Sequence, residues 1–460
     1  MTAEPVRAPG DQDRARITAE RTFFEAVQLN GQGGADSLRI AIQKYQATLP
    51  LWRTADDRYE EALTLDSIGS VYSALGERQK ALDYYTQALL LRRAVGDRAS
   101  EAETLNNIGV IYAALGEKQK ALDSYAQALP LRRAVGDRAG EAETLTNVGS
   151  VYLELGEMQR GLEYYNQALA LMRAMGDRAG EANNLTSIGS AYSILGEKQK
   201  ALDYYNQSLA LWRAVGDRAD EAITLSGIGL VYSELGEKQK ALEFFGQALP
   251  LLRAVGDRTG EARTLRYIGG VYGSVGEEQK ALESYNQTLP LLRAVGDRAG
   301  EAVSLNNIGV VYAALGEKQK ALDSYNHALP LMRAVGDRAS EAATLNNIGF
   351  VYSDLGEKQK ALDYYNQALP LMRAVGDRAG EATMLSNIGV VYSDLGEKQK
   401  ALDYFNQALP LAHAVGNRAG EAKTLTNIGR VYSDLGEKQK ALDYYNQSLP
   451  LSRAVRDPLG

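Results

Sequence analysis

EAATLNNIGFVYSDLGEKQKALDYYNQALPLMRAVGDRAG, residues 341–380, decides the fold, because the chain repeats it. The triplet Leu-Gly-Glu begins at Leu75, Leu115, Leu155, Leu195, Leu235, Leu315, Leu355, Leu395 and Leu435, with Val275 in the remaining slot. The period is 40 residues throughout, with no insertion, and ten regular units fill 61–460. In the unit at 61–100, Leu65, Ile68, Tyr72 and Leu75 are spaced 3-4-3, which places them on one helical face. Gly76 then caps that helix. A second helix carries Ala81, Leu82, Tyr85, Ala88, Leu89 and Val95 on one face and closes at Gly96. Asp97 is placed to cap the helix that follows. Neither helix can bury its apolar stripe alone, so the units must stack. The predicted fold is all-α, an α-solenoid of tandem helix-turn-helix repeats.

Residues 14–60 read as a divergent first pair, in phase from Ala41 through Leu51 but not around Phe23 and Phe24. Residues 1–13 are polar and are expected to be a disordered tail. Eight units place a proline inside the second helix, at Pro50, Pro130, Pro250, Pro290, Pro330, Pro370, Pro410 and Pro450. Leu90, Ala170 and Ala210 are good helix formers in the same column, so a kinked helix is expected there rather than a break.

Composition excludes several classes of function. The net charge is −7, without the clustered basic face that nucleic acid would require. There is no cysteine, so disulfides, thiolate metal sites and cysteine nucleophiles are ruled out for these 460 residues. The two histidines, His327 and His413, fall in different units, and no metal site or cofactor is expected. No apolar run is long enough to span a membrane, and the N-terminus lacks the apolar core of a secretory signal. A cytoplasmic location is the resulting expectation. Gly-Glu-Lys-Gln-Lys lacks phosphate-loop spacing and follows a helix, so catalysis is not expected.

The columns Leu65, Gly69, Tyr72, Ala81, Tyr85 and Ala88 resemble the tetratricopeptide repeat. The likeness recurs in all ten regular units with few exceptions, such as Phe245 for the aromatic and Gly161 for the first Ala. The 40-residue unit exceeds the common length of about 34. It is similar to the long-helix class found in kinesin light chains and spindle-orientation adaptors, and the resemblance implies a right-handed α-solenoid superhelix. The Leu-Pro-Leu-x-Arg-Ala-Val-Gly-Asp-Arg phrase also resembles repeat regions of bacterial proteins that carry a CHAT domain. That caspase-like domain needs a Cys, which this sequence does not contain.

Copies of the unit can be compared with one another. The columns of Leu63, Asp66, Ser70, Ser73 and Ala74 vary freely and span a stripe of about 120° on the first helix. The Leu65, Ile68, Gly69 and Tyr72 columns, which hardly change, lie opposite. In the family that the repeat resembles, the variable columns line a concave groove that holds ligands. The Ser67 column becomes Asn107, Asn147, Asn307, Asn347, Asn387 and Asn427, a ladder interrupted at Ser187, Gly227 and Tyr267. An asparagine can donate to and accept from the backbone of an extended peptide. It can equally bond a neighbouring helix and fix the pitch of the stack. Glu103, Glu143, Glu154 and Glu234 make the early stripe acidic, and Arg263 and Arg266 form a basic spot beside Tyr267. Asp354, Asp394 and Asp434 form a later acidic row, interrupted by Lys423 and Arg430. The Asp row suits a ligand with spaced Lys or Arg, and the Arg pair suits a carboxylate.

The expected role is therefore a non-catalytic scaffold that binds a peptide or protein partner. Two alternatives are the regulatory portion of a larger effector and a self-assembling solenoid. In the last unit, Gly-Asp-Arg-Ala-Gly becomes Arg456-Asp457-Pro458-Leu459-Gly460, a helix-start signal with nothing after it. That unit has no polar capping helix, so either the natural chain continues or this end docks, self-association being one such contact.

Overall fold

The computed structural model describes residues 10–456. Among them are 22 helices, numbered in chain order, and no strand. The first pair is α1 (Asp11–Gly31) and α2 (Ala35–Thr54), so residues 11–13 lie in a helix. The second pair is α3 (Arg58–Ala74) and α4 (Arg78–Val95), and the remaining helices repeat that length and spacing. The closing helices are α21 (Arg418–Asp434) and α22 (Lys438–Arg456). The end of the last unit, 457–460, lies outside the described residues, as do 1–9. The chain divides into two compact units, one ending at Val231 and the other beginning at Tyr232. Within each, helix pairs pack consecutively, which is an α-solenoid arrangement.

The turns follow from the predicted residues. Gly76 and Gly96 have φ of 75° and 74°, a left-handed conformation that glycine adopts at no steric cost. Asp97 accepts a hydrogen bond from the Ser100 backbone N–H at 3.2 Å and so caps the next helix. Each prolyl helix runs unbroken through its proline, as α6 (Lys118–Val135) does at Pro130.

Packing within a pair depends on the glycine column. A Cβ at Gly69 would lie 2.9 Å from the Tyr85 ring, so the first helix must be bare where the tyrosine crosses it. Leu65, Ile68, Ala81, Tyr85 and Ala88 are all buried. Val95 departs from the predicted face: it is 40% exposed, because it sits in the last turn beside Gly96 with no helix over it. The column that runs Arg92, Arg132, Met172, Trp212, Leu252 is buried, so its varying side chains are part of the core. Its two arginines are held by carboxylates, Arg92 by Asp97 at 3.0 Å and Arg132 by Asp137 at 2.7 Å.

Two kinds of ion pair tie one helix pair to the next, and neither is evident from charge content alone. An arginine near the end of most second helices reaches the glutamate eight residues on, as in Arg93–Glu101 at 2.7 Å and Arg373–Glu381 at 2.7 Å. His413 takes the arginine's place against Glu421 at 3.1 Å. In addition, a lysine at the start of a second helix reaches the carboxylate 36 residues on, at the end of the next unit's first helix. Lys318–Asp354, Lys358–Asp394 and Lys398–Asp434 are 2.5, 2.7 and 2.6 Å apart.

Leu442 and Leu449 are 53% and 47% exposed, whereas Leu402 in the preceding unit is 5% exposed.

Candidate functional site

The variable stripe lies on the first helices, and in the second compact unit it carries apolar side chains that packing does not use. Four first helices matter: α13 (Arg258–Ser274), α15 (Arg298–Ala314), α17 (Arg338–Asp354) and α19 (Arg378–Asp394). Their opposite face supplies the core through Leu265, Leu305, Leu345 and Leu385. On the variable face, Val310 is 46% exposed and Phe350 is 58% exposed, one unit apart in the same column. Val390 continues that column half-buried. Apolar side chains thus stand in water on successive first helices, α15 and α17.

The asparagine ladder borders this column. Asn147 donates through Nδ2 to Asn106 Oδ1 at 3.1 Å. Asn347 donates to Asn306 at 3.3 Å and Asn387 to Asn346 at 3.0 Å. Each of these bonds joins one unit to the unit before it and uses one of the two amide N–H groups. The neighbour-bonding alternative is thus realised at these three positions. Asn107 and Asn307 are half-buried on the same column. The Nδ2 of Asn427 is buried with no hydrogen-bond partner, since Ser386 stands where the longer Asn306 and Asn346 accept in other units.

The charged positions divide into paired and unpaired sets. Asp354, Asp394 and Asp434 are exposed, but each holds the lysine of the preceding unit, and Arg430 also approaches Asp394 at 3.8 Å. The Lys398 ammonium keeps the Asp434 carboxyl below its ordinary range. Arg263 is exposed and Arg266 half-buried, and neither forms an ion pair among the described residues. Tyr267 stacks on Phe245, with ring centroids 5.7 Å apart, so its ring belongs partly to the packing.

The sequence reading did not single out a cavity of about 240 Å³ on α13, α15 and the start of α14 (Glu278–Val295). Gly270, Gly273, Glu278, Tyr285, Asn307 and Val310 line it, together with Val311 and Ala314. A Cβ at Gly270 would lie 3.7 Å from Tyr285 Oη, and one at Gly273 would lie 4.0 Å from Ala281. Side chains would therefore fit, and glycine inside a helix costs about 1 kcal/mol relative to alanine. Burial holds the Tyr285 phenol above its usual range, so its hydroxyl stays protonated and can donate or accept. The signal for this cavity was present in the sequence as Gly270 and Gly273 beside a glutamate where other units carry lysine.

Among the described residues, no group of three or more His, Asp or Glu is arranged to hold a metal ion. No described helix is long and apolar enough to cross a membrane.

The profile of the tetratricopeptide repeat matches 60–134, 140–214 and a series of overlapping segments from 199–254 through 380–454. No curated protein sequence matches the chain. Several solved structures share its fold. A Signal Transduction ATPase with Numerous Domains with a tetratricopeptide repeat sensor, from Pyrococcus horikoshii, is 16% identical, with a TM-score of 0.57 over 77% of this chain and 54% of that one. The apo form of the quorum sensor NprR from B. thuringiensis is 18% identical, with a TM-score of 0.53 over 74% of this chain and 99% of that one. A Rap protein complexed with competence and sporulation factor is 14% identical, with a TM-score of 0.51 over 78% and 99% of the two chains.

Proposed function

This chain belongs to the tetratricopeptide repeat family, and from that premise we propose that it is a non-catalytic scaffold binding an extended peptide or protein segment in the groove lined by its first helices. The observation that carries the reading is the exposure of Val310 and Phe350 on the variable stripe, beside asparagines with one amide N–H still available. The apolar pair supplies the desolvation that drives association, and the polar column fixes the register of the ligand backbone. Asn107, Asn147, Asn307, Asn347 and Asn387 serve as that polar column, and Asn427, whose Nδ2 is buried, can offer only its carbonyl oxygen. Arg263 and Arg266 offer unpaired cations to a carboxylate, with Tyr267 packed beside them. Asp354, Asp394 and Asp434 are already ion-paired, so a basic ligand engages them only by displacing a lysine of this chain. The likeness to a quorum sensor and to a Rap protein bound to a sporulation factor supports a ligand-binding role.

A second reading, a sensor array that controls an effector, draws on the likeness to a signalling ATPase in which repeats form the sensor. It shares the same groove and differs in what the bound state controls.

Affinity capture with the intact chain and with a Val310→Ser, Phe350→Ser variant tests the proposal. The variant is expected to recover about tenfold less of the partner set, because a few buried apolar anchors dominate such interfaces. Circular dichroism of both proteins checks that the fold is retained. Equal recovery by two equally folded proteins refutes the groove.

A further inference from the structure

The cavity on α13, α14 and α15 combines three features that the repeat does not require together. Its floor is opened by Gly270 and Gly273, whose positions would each admit a side chain. Glycine is among the poorest helix formers, and packing against Tyr285 or Ala281 does not enforce it at either site. The position of Glu278 is basic in most units, as at Lys238, Lys318, Lys358 and Lys398. Where the lysine is present and an acid stands 36 residues on, the two close an ion pair with the next unit. At Glu278 both halves of that clip have changed: the lysine is a glutamate, and the residue 36 on is Ala314. Glu278 consequently makes no ion pair among the described residues, and both it and Ala314 line the cavity. Packing alone would be served by any neutral pair, as at Met158 and Ile194 in the same two columns. Instead a half-buried carboxylate faces an empty volume walled by Val310, Val311 and the Tyr285 ring.

We infer that this cavity seats one basic side chain of the ligand, lysine or arginine, with its aliphatic stem against Val310 and Val311 and its cation on Glu278. The inference rests on the groove reading above and deepens it by naming the chemistry of one ligand residue. About 240 Å³ is enough for one long side chain and too little for a folded segment. A basic residue suits it because its stem covers apolar wall while its charge stays at a partly hydrated carboxylate. Tyr285 Oη adds a neutral hydrogen-bonding group at the Gly270 side of the cavity.

The test uses a random dodecapeptide library displayed on phage, selected against the intact chain and against two variants. Glu278→Lys reverses the charge, and Gly270→Leu fills the cavity without changing it. Circular dichroism of each variant establishes that it is folded. Peptides selected by the intact chain are expected to carry Lys or Arg at one fixed position. Those peptides should bind the Glu278→Lys protein about tenfold more weakly, equivalent to about 1.4 kcal/mol. Gly270→Leu should lose the same basic preference. Selected peptides with no basic preference, or with one that persists in both variants, overturn the inference while leaving the groove reading intact. If the intact chain selects no peptide at all, the groove reading fails and the inference with it.

Discussion

Gly349→Ala tests the steric rule that fixes the first helix against the second and so sets the stripe in place. A Cβ at 349 would lie 2.6 Å from Cε1 and 2.8 Å from Cδ1 of Tyr365, where carbon atoms ordinarily rest about 3.5–4.0 Å apart. Tyr365 is 1% exposed, so its ring cannot retreat into solvent. Overpacking of this kind costs about 1–3 kcal/mol. The change also removes a helical glycine, which gains about 1 kcal/mol. Gly246→Ala isolates that gain, because Gly246 lies inside α12 (Lys238–Val255) and its Cβ would meet nothing within 4 Å. At 2.6 Å from a buried ring the cost lies in the upper part of that range, leaving a net loss of about 1–2 kcal/mol, so the two variants should move in opposite directions. For a unit of this size about 1 kcal/mol corresponds to roughly 2–4 °C. Calorimetry should show a fall of a few degrees for Gly349→Ala and a rise of about 2–4 °C for Gly246→Ala. Repeat arrays need not unfold in two states, so the direction of each shift is the decisive quantity. If both variants rise together, the tyrosine does not demand the glycine and the packing argument is wrong.

Three further outcomes are expected. Burial pushes the Asp66 carboxyl up to about 6, against the opposing effects of the Thr104 hydroxyl and Arg92. The folded state thus binds this proton more tightly than the unfolded state, so the contribution is complete below about pH 3.8 and is lost as pH rises through about 6. The intact chain should gain roughly 1 kcal/mol more than Asp66→Asn on going from pH 7 to pH 5, read as the difference between their melting shifts; identical shifts would contradict it. Leu402→Gln should destabilise by at least about 2 kcal/mol, whereas Leu442→Gln, at a position 53% exposed, should cost far less. A double-mutant cycle on Lys358 and Asp394 should give a coupling of about 0.2–1 kcal/mol that fades with salt, and a salt-independent value would mean the pair is not the exposed clip described.

Much of this fold was legible in the sequence because the repeat averages out local ambiguity. One 40-residue copy leaves the role of Gly69 open, but glycine opposite an aromatic in copy after copy signals a close crossing. The αL turns at Gly76 and Gly96 and the Asp97 cap were readable for the same reason. Val95 was misplaced because periodicity assigns a face without saying where the covering helix ends. The acidic row showed its charge, but not that Asp354, Asp394 and Asp434 each answer a lysine 36 residues earlier. That link could have been found by comparing the two columns, since Lys118 with Glu154 becomes Met158 with Ile194 one unit later. The asparagines posed a different problem. A side chain with two donors and an acceptor can serve a neighbour and a ligand at once, and only geometry shows that Asn347 and Asn387 already bond the preceding unit. Phe350 and Val310 lay within the predicted stripe, yet their exposure depends on what packs around them.

In the proposed function, the variable first-helix stripe holds the ligand and the outer face of the second helices does not. Site-specific photo-crosslinking tests it most directly, with a benzophenone amino acid placed at Phe350 on the stripe or at Asn366 on the exposed side of α18 (Lys358–Val375). Crosslinks from 350 to one short stretch of the partner, with none from 366, are the predicted result. Crosslinks from 366 and none from 350 would place the ligand on the opposite surface and contradict the account.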